Sequence, residues 1–313
     1  MAGQAAGVIA WGEASTREEK EEVYGFRFRQ YFLDKPALPG VDSGRERVWL
    51  PHDDFSRHLT ARDAEGRLLA VGTVTPADVP AISAAWKAIF DFRRIRPLLG
   101  DLIIISRVIV AREARHSTLF GQMSLRLAAL GIRSGFHCAA HYCAPAMIAL
   151  YERLGYRVLS GGSALGDSFR VPMILSIDAL EHLRLVRSPV ATLLENYRPD
   201  QERMRALLQL CPEFAAPPLC ALPAKEAAKR LAALCPQLAA ADASLIRTLR
   251  RSGLFRIGRG SVLARPGHDE GRFLVLQGSI TDGSAAFAPG SAFSSGKSEL
   301  SALEDSLLAA LPG

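Results

Sequence analysis

Two polar residues interrupt an apolar run. In "DLIIISRVIV", Ser106 and Arg107 lie among aliphatic residues in a stretch whose continuous hydrophobicity marks a buried strand. A guanidinium inside a buried strand needs an anion beside it: either the carboxylate of a bound molecule or an aspartate of the chain. The strand runs into "VAREARHSTLF" and then a helix. Unpaired N–H groups at such a helix start, together with its dipole, favour a phosphate. Arg115 adds a cation, and His116, Ser117 and Thr118 supply the loop N–H groups. No glycine occurs between Ala111 and Phe120, so side chains crowd the approach to the backbone. In "FHCAAHYC", His137, Cys138, His141 and Cys143 could ligate a metal. Strand alternation sends His137 and Cys138 to opposite faces, and no second ligand pair has a recognisable spacing, so no metal is expected. His141 closes that strand as a candidate base or as a structural histidine.

The elements that must position these groups follow from periodicity and punctuation. "STREEKEEVYGFRFRQYF" predicts a helix over about 16–32, with Ser15 as N-cap and acidic residues in the first turn. "RHLTARDAEGRLLAVGTVTP" predicts two strands joined at "DAEG". A helical patch over 86–92, the buried strand, a helix over 119–132, the "HCAAHYC" strand, a helix ending at Gly155 and two further strands complete a mixed α/β domain. The expected domains are 1–188, a helical linker over 189–222, and a helical plus β region over 223–313 that closes on a helix.

Bulk properties narrow the function. At 313 residues, 49% hydrophobic and 22% charged, the chain can bury a substantial core. There is no apolar run long enough for a membrane span and no secretory-type start, so the expected location is cytoplasmic. Five cysteines at irregular spacings predict no disulfide framework. The net charge of +6 suits an acidic partner or anionic substrate. No recognition motif supports a nucleic-acid partner.

The order of "YGFRFRQYF", "DDFSRHLTARDAEGRLLAVGTV", "IISRVIV" and "LYERLGYRV" over about 20–185 resembles the GNAT acyltransferase superfamily. Within it, the order is similar to the branch of autoinducer synthases and long-chain N-acyl amino acid synthases. The resemblance implies a GNAT-like mixed sheet flanked by helices. It implies an N-acyltransferase that moves a fatty acyl group from an acyl thioester, acyl carrier protein in preference to CoA, to the amine of an amino acid or similar small molecule, with no resident cofactor. Val110, Arg115, His116, Ser117, Thr118 and Leu119 would line the donor. Arg27, Phe32, Asp53, Asp54 and Ser106 would line the acceptor. Tyr151 falls where the leaving thiolate receives its proton, or is a core tyrosine on an apolar helix face. With His141 and Arg107, it completes the candidate catalytic set. Arg112, Arg115, Arg126 and Arg133 form a candidate docking face for an acidic carrier protein, and a second copy of the chain is a further candidate partner. The sequence departs from the branch at two positions: Ile104 stands where it has glutamate and Thr75 where it has arginine. That loss raises a second expectation, a catalytically inactive acyl-thioester-binding or regulatory protein. Beyond residue 223, Gly260, Leu263, Gly267, Val275, Leu276, Gly278 and Ile280 resemble the opening of a cyclic-nucleotide-type jelly roll, truncated and without its phosphate-binding cassette.

Overall fold

The computed structural model describes residues 9–32, 40–93, 95–115, 117–159, 163–165, 168–264, 271–295 and 298–312. The chain is α/β: a mixed sheet flanked by helices precedes a smaller helical and β region. Contacts divide it into two compact units, Met1–Ala84 with Leu98–Ala139, and Ala85–Pro97 with Ala140–Gly313. Among the described residues, no helix is long and apolar enough to cross a membrane.

The first unit begins with β1 (Ala10–Ala14), which the sequence did not announce, and α1 (Arg17–Phe32). The cap of α1 is Thr16 rather than Ser15. Thr16 Oγ1 accepts from the Glu19 N–H at 3.1 Å, and Glu19 Oε2 accepts from the Ser15 and Thr16 N–H groups at 2.7 and 2.9 Å. Both Ser15 and Thr16 have a glutamate three residues on, and it is Glu19, the partner of Thr16, that closes the reciprocal box. A short hairpin of β2 (Val41–Asp42) and β3 (Arg47–Val48) and a 3-10 turn over Pro51–Phe55 lead into β4 (Arg57–Arg62) and β5 (Leu68–Pro76). Then come β6 (Leu102–Val110) and α3 (Leu119–Arg133); α2 (Ala84–Ile89) lies between β5 and β6. The hydrogen-bonded order is β1-β4-β5-β6, all antiparallel. Helix α3 approaches β5 closely because Gly72 has no side chain; a Cβ there would strike Leu127.

β7 (Cys138–Cys143) starts in the first unit and ends in the second. The second unit continues with α4 (Ile148–Leu154), β8 (Arg157–Val158), β9 (Ser163–Leu165) and β10 (Ser168–Ser176), which pairs antiparallel with both β8 and β9. Gly155 ends α4 in the left-handed conformation, φ 104°. Helices α5 (Leu180–Leu185), α6 (Gln201–Leu210), α7 (Ala224–Leu234) and α8 (Ala243–Leu249) follow. Asp200 caps α6 and Asp242 caps α8 through their carboxylates.

The last part is two four-stranded antiparallel sheets. One is ordered β11 (Gly253–Ile257), β18 (Ser306–Leu311), β13 (Arg272–Gln277), β16 (Ala292–Ser294). The other is ordered β12 (Val262–Ala264), β17 (Leu300–Ala302), β14 (Ile280–Thr281), β15 (Ala286–Phe287). Leu274, Leu276, Leu307 and Ala309 on one face of the first sheet pack with Leu231, Ile246 and Leu249 of α7 and α8. Phe255, Phe273 and Phe293 follow one another on the opposite face, the first pair edge-on and the second stacked. The expected terminal helix is instead β18. "SLLAAL" favours a helix locally, but as an interior strand it buries five consecutive side chains between β11 and β13, and tertiary packing overrides propensity.

Candidate functional site

The polar centre of the first unit is assembled by one irregularity in β6. Pairing with β5 runs Ala70 to Val110 and Val71 to Ile109, then resumes at Thr73 with Ser106, so β6 holds one extra residue opposite Gly72. Arg107 occupies this bulge with φ 50°, a left-handed conformation that a bulky residue adopts only when the surroundings enforce it. Its Nη1 donates to both oxygens of Asp53 at 2.9 Å. Asp53 is presented by the turn after β3, and its Oδ2 also accepts from the Leu50 N–H at 2.8 Å. From α1, Arg27 Nη1 donates to Asp53 Oδ1 at 3.0 Å, and its Nη2 donates to Thr73 Oγ1 at 2.6 Å. His58 Nδ1 lies 3.1 Å from Arg27 Nη2 and 3.2 Å from Thr73 Oγ1. A guanidinium only donates, so Nδ1 accepts and the imidazole proton sits on Nε2. Arg27, His52, Asp53, His58 and Thr73 are all fully buried.

The charges follow from these contacts. Burial raises the Asp53 pKa, but Arg27, Arg107 and the Leu50 N–H outweigh it and hold the carboxyl at about 2. Burial is the first cause that lowers His52 to about 4 and His58 to about 3; Arg107 adds most to the former and Arg27 to the latter. Both imidazoles are neutral at neutral pH. Burial lowers Arg27 to about 10, so it stays charged. The hydrogen-bonded cluster therefore carries +1: Arg27 and Arg107 against Asp53. Among the described residues, Ser106 Oγ and His58 Nε2 have no hydrogen-bond partner. Such a centre can hold an anion. Near pH 7 its carboxyl is ionised and its imidazoles are neutral, so it is better suited to binding than to supplying a proton.

Ile104 and Thr75 lie side by side. These residues are direct cross-strand partners of β6 and β5, and both are fully buried. Ser56 Oγ donates to the His52 carbonyl at 2.6 Å, which leaves Thr75 to donate to Ser56 Oγ at 2.7 Å.

Of the other candidate acceptor residues, Asp54 is exposed and accepts from Trp49 Nε1 at 3.3 Å, outside the cluster. Phe32 ends α1, and its side chain lies outside the described residues. In the candidate donor loop, His116 is also outside them. Arg115 Nε reaches the Val110 carbonyl at 3.5 Å. Ser117 Oγ donates to the Ala114 carbonyl at 2.7 Å and accepts from the Leu119 N–H at 3.2 Å, and Gln122 Nε2 donates to Thr118 Oγ1 at 3.0 Å. Arg126 stacks on Trp11, 4.4 Å from the ring centre. In the second unit, the His141 and Tyr151 rings lie 4.1 Å apart, with Tyr156 5.7 Å from Tyr151. His52, Ser56, His58 and Thr73 were not singled out from the sequence. The available signal was alternation: Ser56, His58 and Thr60 on β4 and its entry, and Thr73 and Thr75 on β5, place polar residues at every second position of buried strands.

No protein-family model matches the chain, and no curated protein does. Among solved structures, it is similar to FeeM, an N-acyl amino acid synthase from uncultured soil microbes: 9% identity, 60% of this chain and 99% of that chain, TM-score 0.46. It is similar to BjaI, a CoA-dependent acyl-homoserine lactone synthase with S-adenosylmethionine and isopentyl-CoA: 14% identity, 58% and 90%, TM-score 0.45. It is also similar to ElaA of Escherichia coli: 12% identity, 54% and 100%, TM-score 0.40.

Proposed function

We propose that the chain is an N-acyltransferase that passes an acyl group from a thioester to the amine of a small molecule bearing a carboxylate. The observation that carries this is the buried cluster with one positive charge in excess. Its two guanidiniums converge on a single carboxylate, with Ser106 Oγ and the His58 Nε2–H left over as donors. A substrate carboxylate would neutralise the excess and satisfy those donors. The cluster then acts by binding and orientation. The acceptor attacks as a neutral amine, the thioester carbonyl becomes a tetrahedral oxyanion, and collapse expels a thiolate. Tyr151 is assigned the proton for that thiolate and His141 the proton taken from the amine. The start of α3 with Arg115 is assigned to the donor's phosphate. Side chains in place of loop glycines favour a loose grip on the pantetheine phosphate of an acyl carrier protein.

The test mixes the protein with acyl carrier protein thioesters or acyl-CoA of several chain lengths and a set of amines, and follows free thiol and product mass. Thiol release that requires a carboxylate-bearing amine is the expected result. No acceptor-dependent release with any donor would overturn the proposal. Release with decarboxylated amines at equal kcat/KM would remove the cluster from acceptor binding.

A further inference from the structure

A second buried charge centre lies in the second unit, next in the chain to Tyr151. Glu152 follows Tyr151 on α4 and is buried. Its Oε1 accepts from Arg157 Nη1 of β8 at 3.3 Å. Arg157 Nη2 donates to the Ala216 carbonyl at 3.3 Å, and Arg230 of α7 donates to the Pro217 carbonyl. Both arginines thus hang on adjacent carbonyls of the connection 212–222 between α6 and α7, and Glu152 is the carboxylate that attracts both. The connection is moored beside them: Cys211 Sγ donates to the Val158 carbonyl at 3.4 Å, and Phe214 meets the His182 ring edge-on at 5.2 Å.

Helix α4 has seven residues, too few to persist without tertiary support. We propose that Glu152 is a positioning residue that holds α4, and with it the Tyr151 ring, through Arg157 to the connection 212–222. This rests on the assignment of Tyr151 to proton transfer. It gives the segment beyond residue 189 a task in the reaction: the α6–α7 connection braces the helix that carries the proposed acid.

The brace is sensitive to protons. Facing Glu152 are Arg157 from β8 and Arg230 from α7. Cys220 of the connection feels the field of both Glu152 and Arg157, and His182 of α5 feels that of Arg157. Burial raises the Glu152 carboxyl to about 7 although Arg157 and Arg230 pull it down. A local opening that wets Glu152 returns it to its ordinary range and releases a proton. The brace is therefore firmest below the ordinary carboxyl pKa and is lost as pH rises through about 7.

Hydrogen exchange on the full chain between pH 5 and 8.5, corrected for intrinsic rates, reads this without substrate. In the wild type, protection of residues 148–154 and 212–222 should fall roughly a hundredfold across that range, while other segments keep theirs. Glu152→Gln, which keeps the acceptor and loses the titration, should hold protection flat. Glu152→Ala should lower it at every pH. Equal pH dependence in the wild type and Glu152→Gln, or none in the wild type, overturns the proposal. Turnover adds a separable readout: kcat of Glu152→Gln should lose an inflection near pH 7 while KM for the acceptor is unchanged. Exchange as expected with no thiol release in any variant would leave the brace standing and remove the acyltransferase assignment.

Discussion

Each unit sets guanidiniums against a buried carboxylate, and the two carboxylates are driven in opposite directions. Asp53 receives three guanidinium contacts at 2.9–3.0 Å and the Leu50 N–H at 2.8 Å, and its pKa settles near 2. Glu152 accepts from Arg157 at the longer distance of 3.3 Å, and burial takes it to about 7. Burial penalises a charge in both places; the number and length of the bonds decide whether the charge survives. The first arrangement is a fixed ion cluster suited to binding. The second is a marginal pair suited to release.

The largest test of that difference is to neutralise each carboxylate. Asp53→Asn leaves two buried guanidiniums without a counter-charge and should destabilise the first unit by about 3–5 kcal/mol, measured by urea unfolding with a probe in that unit. Glu152→Gln should change stability by less than about 1 kcal/mol at pH 5, because the carboxyl it replaces is already neutral there. Comparable losses in the two variants would erase the distinction.

Next in size is the pH response. His52 and His58 have folded pKa values near 4 and 3, below the ordinary value of 6.5. Their contribution is present above pH 6.5 and is lost as pH falls toward 3. Glu152 works the other way and weakens its surroundings as pH rises through about 7. Segment-resolved hydrogen exchange should therefore show β4 and the turn over Pro51–Phe55 loosening in acid, and α4 with the connection 212–222 loosening in base. A single common pH profile would contradict both assignments.

The same contrast shows what the sequence discloses. Arg107 was conspicuous because a charge in an aliphatic run is rare, and its need for an anion follows from burial alone. The aspartate that meets it lies 54 residues away and arrives through a turn, so only the family resemblance pointed to Asp53 and, equally, to Asp54, which stays at the surface. His58 and Thr73 join the cluster through the β4–β5 register, and Arg107 through a bulge. Neither registers nor bulges are written in local composition. The mixed sheet and its helices were legible because their periodicity is local. β18 was not, because "SLLAAL" prefers a helix until two neighbouring strands claim it. Glu152 and Arg157 stood in plain view in "LYERLGYRV", but what makes them a pair with a task is the connection that reaches them from residues 212–222.

A smaller effect is expected from Arg107→Lys. Lysine keeps the charge but has no planar guanidinium to reach both Asp53 oxygens. The variant should lose about 1–2 kcal/mol of stability and raise acceptor KM about tenfold, with donor KM unchanged. An unchanged acceptor KM would separate the cluster from acceptor binding while leaving its structural role intact.

The smallest effect on stability and the most informative is Ser106→Ala. The hydroxyl is buried, sits opposite Thr73, and has no partner among the described residues. A buried hydroxyl without a partner costs the folded chain free energy, so its removal should leave stability unchanged or raise it by up to about 1 kcal/mol. If the vacant donor is there for the acceptor, the same variant should lose about 1 kcal/mol of binding, read as a roughly fivefold rise in acceptor KM. The two readings then move in opposite directions, as a structural hydroxyl could not make them. A fall in stability with acceptor KM unchanged would show that Ser106 serves the fold, and that the excess charge of the cluster is answered by something other than a substrate.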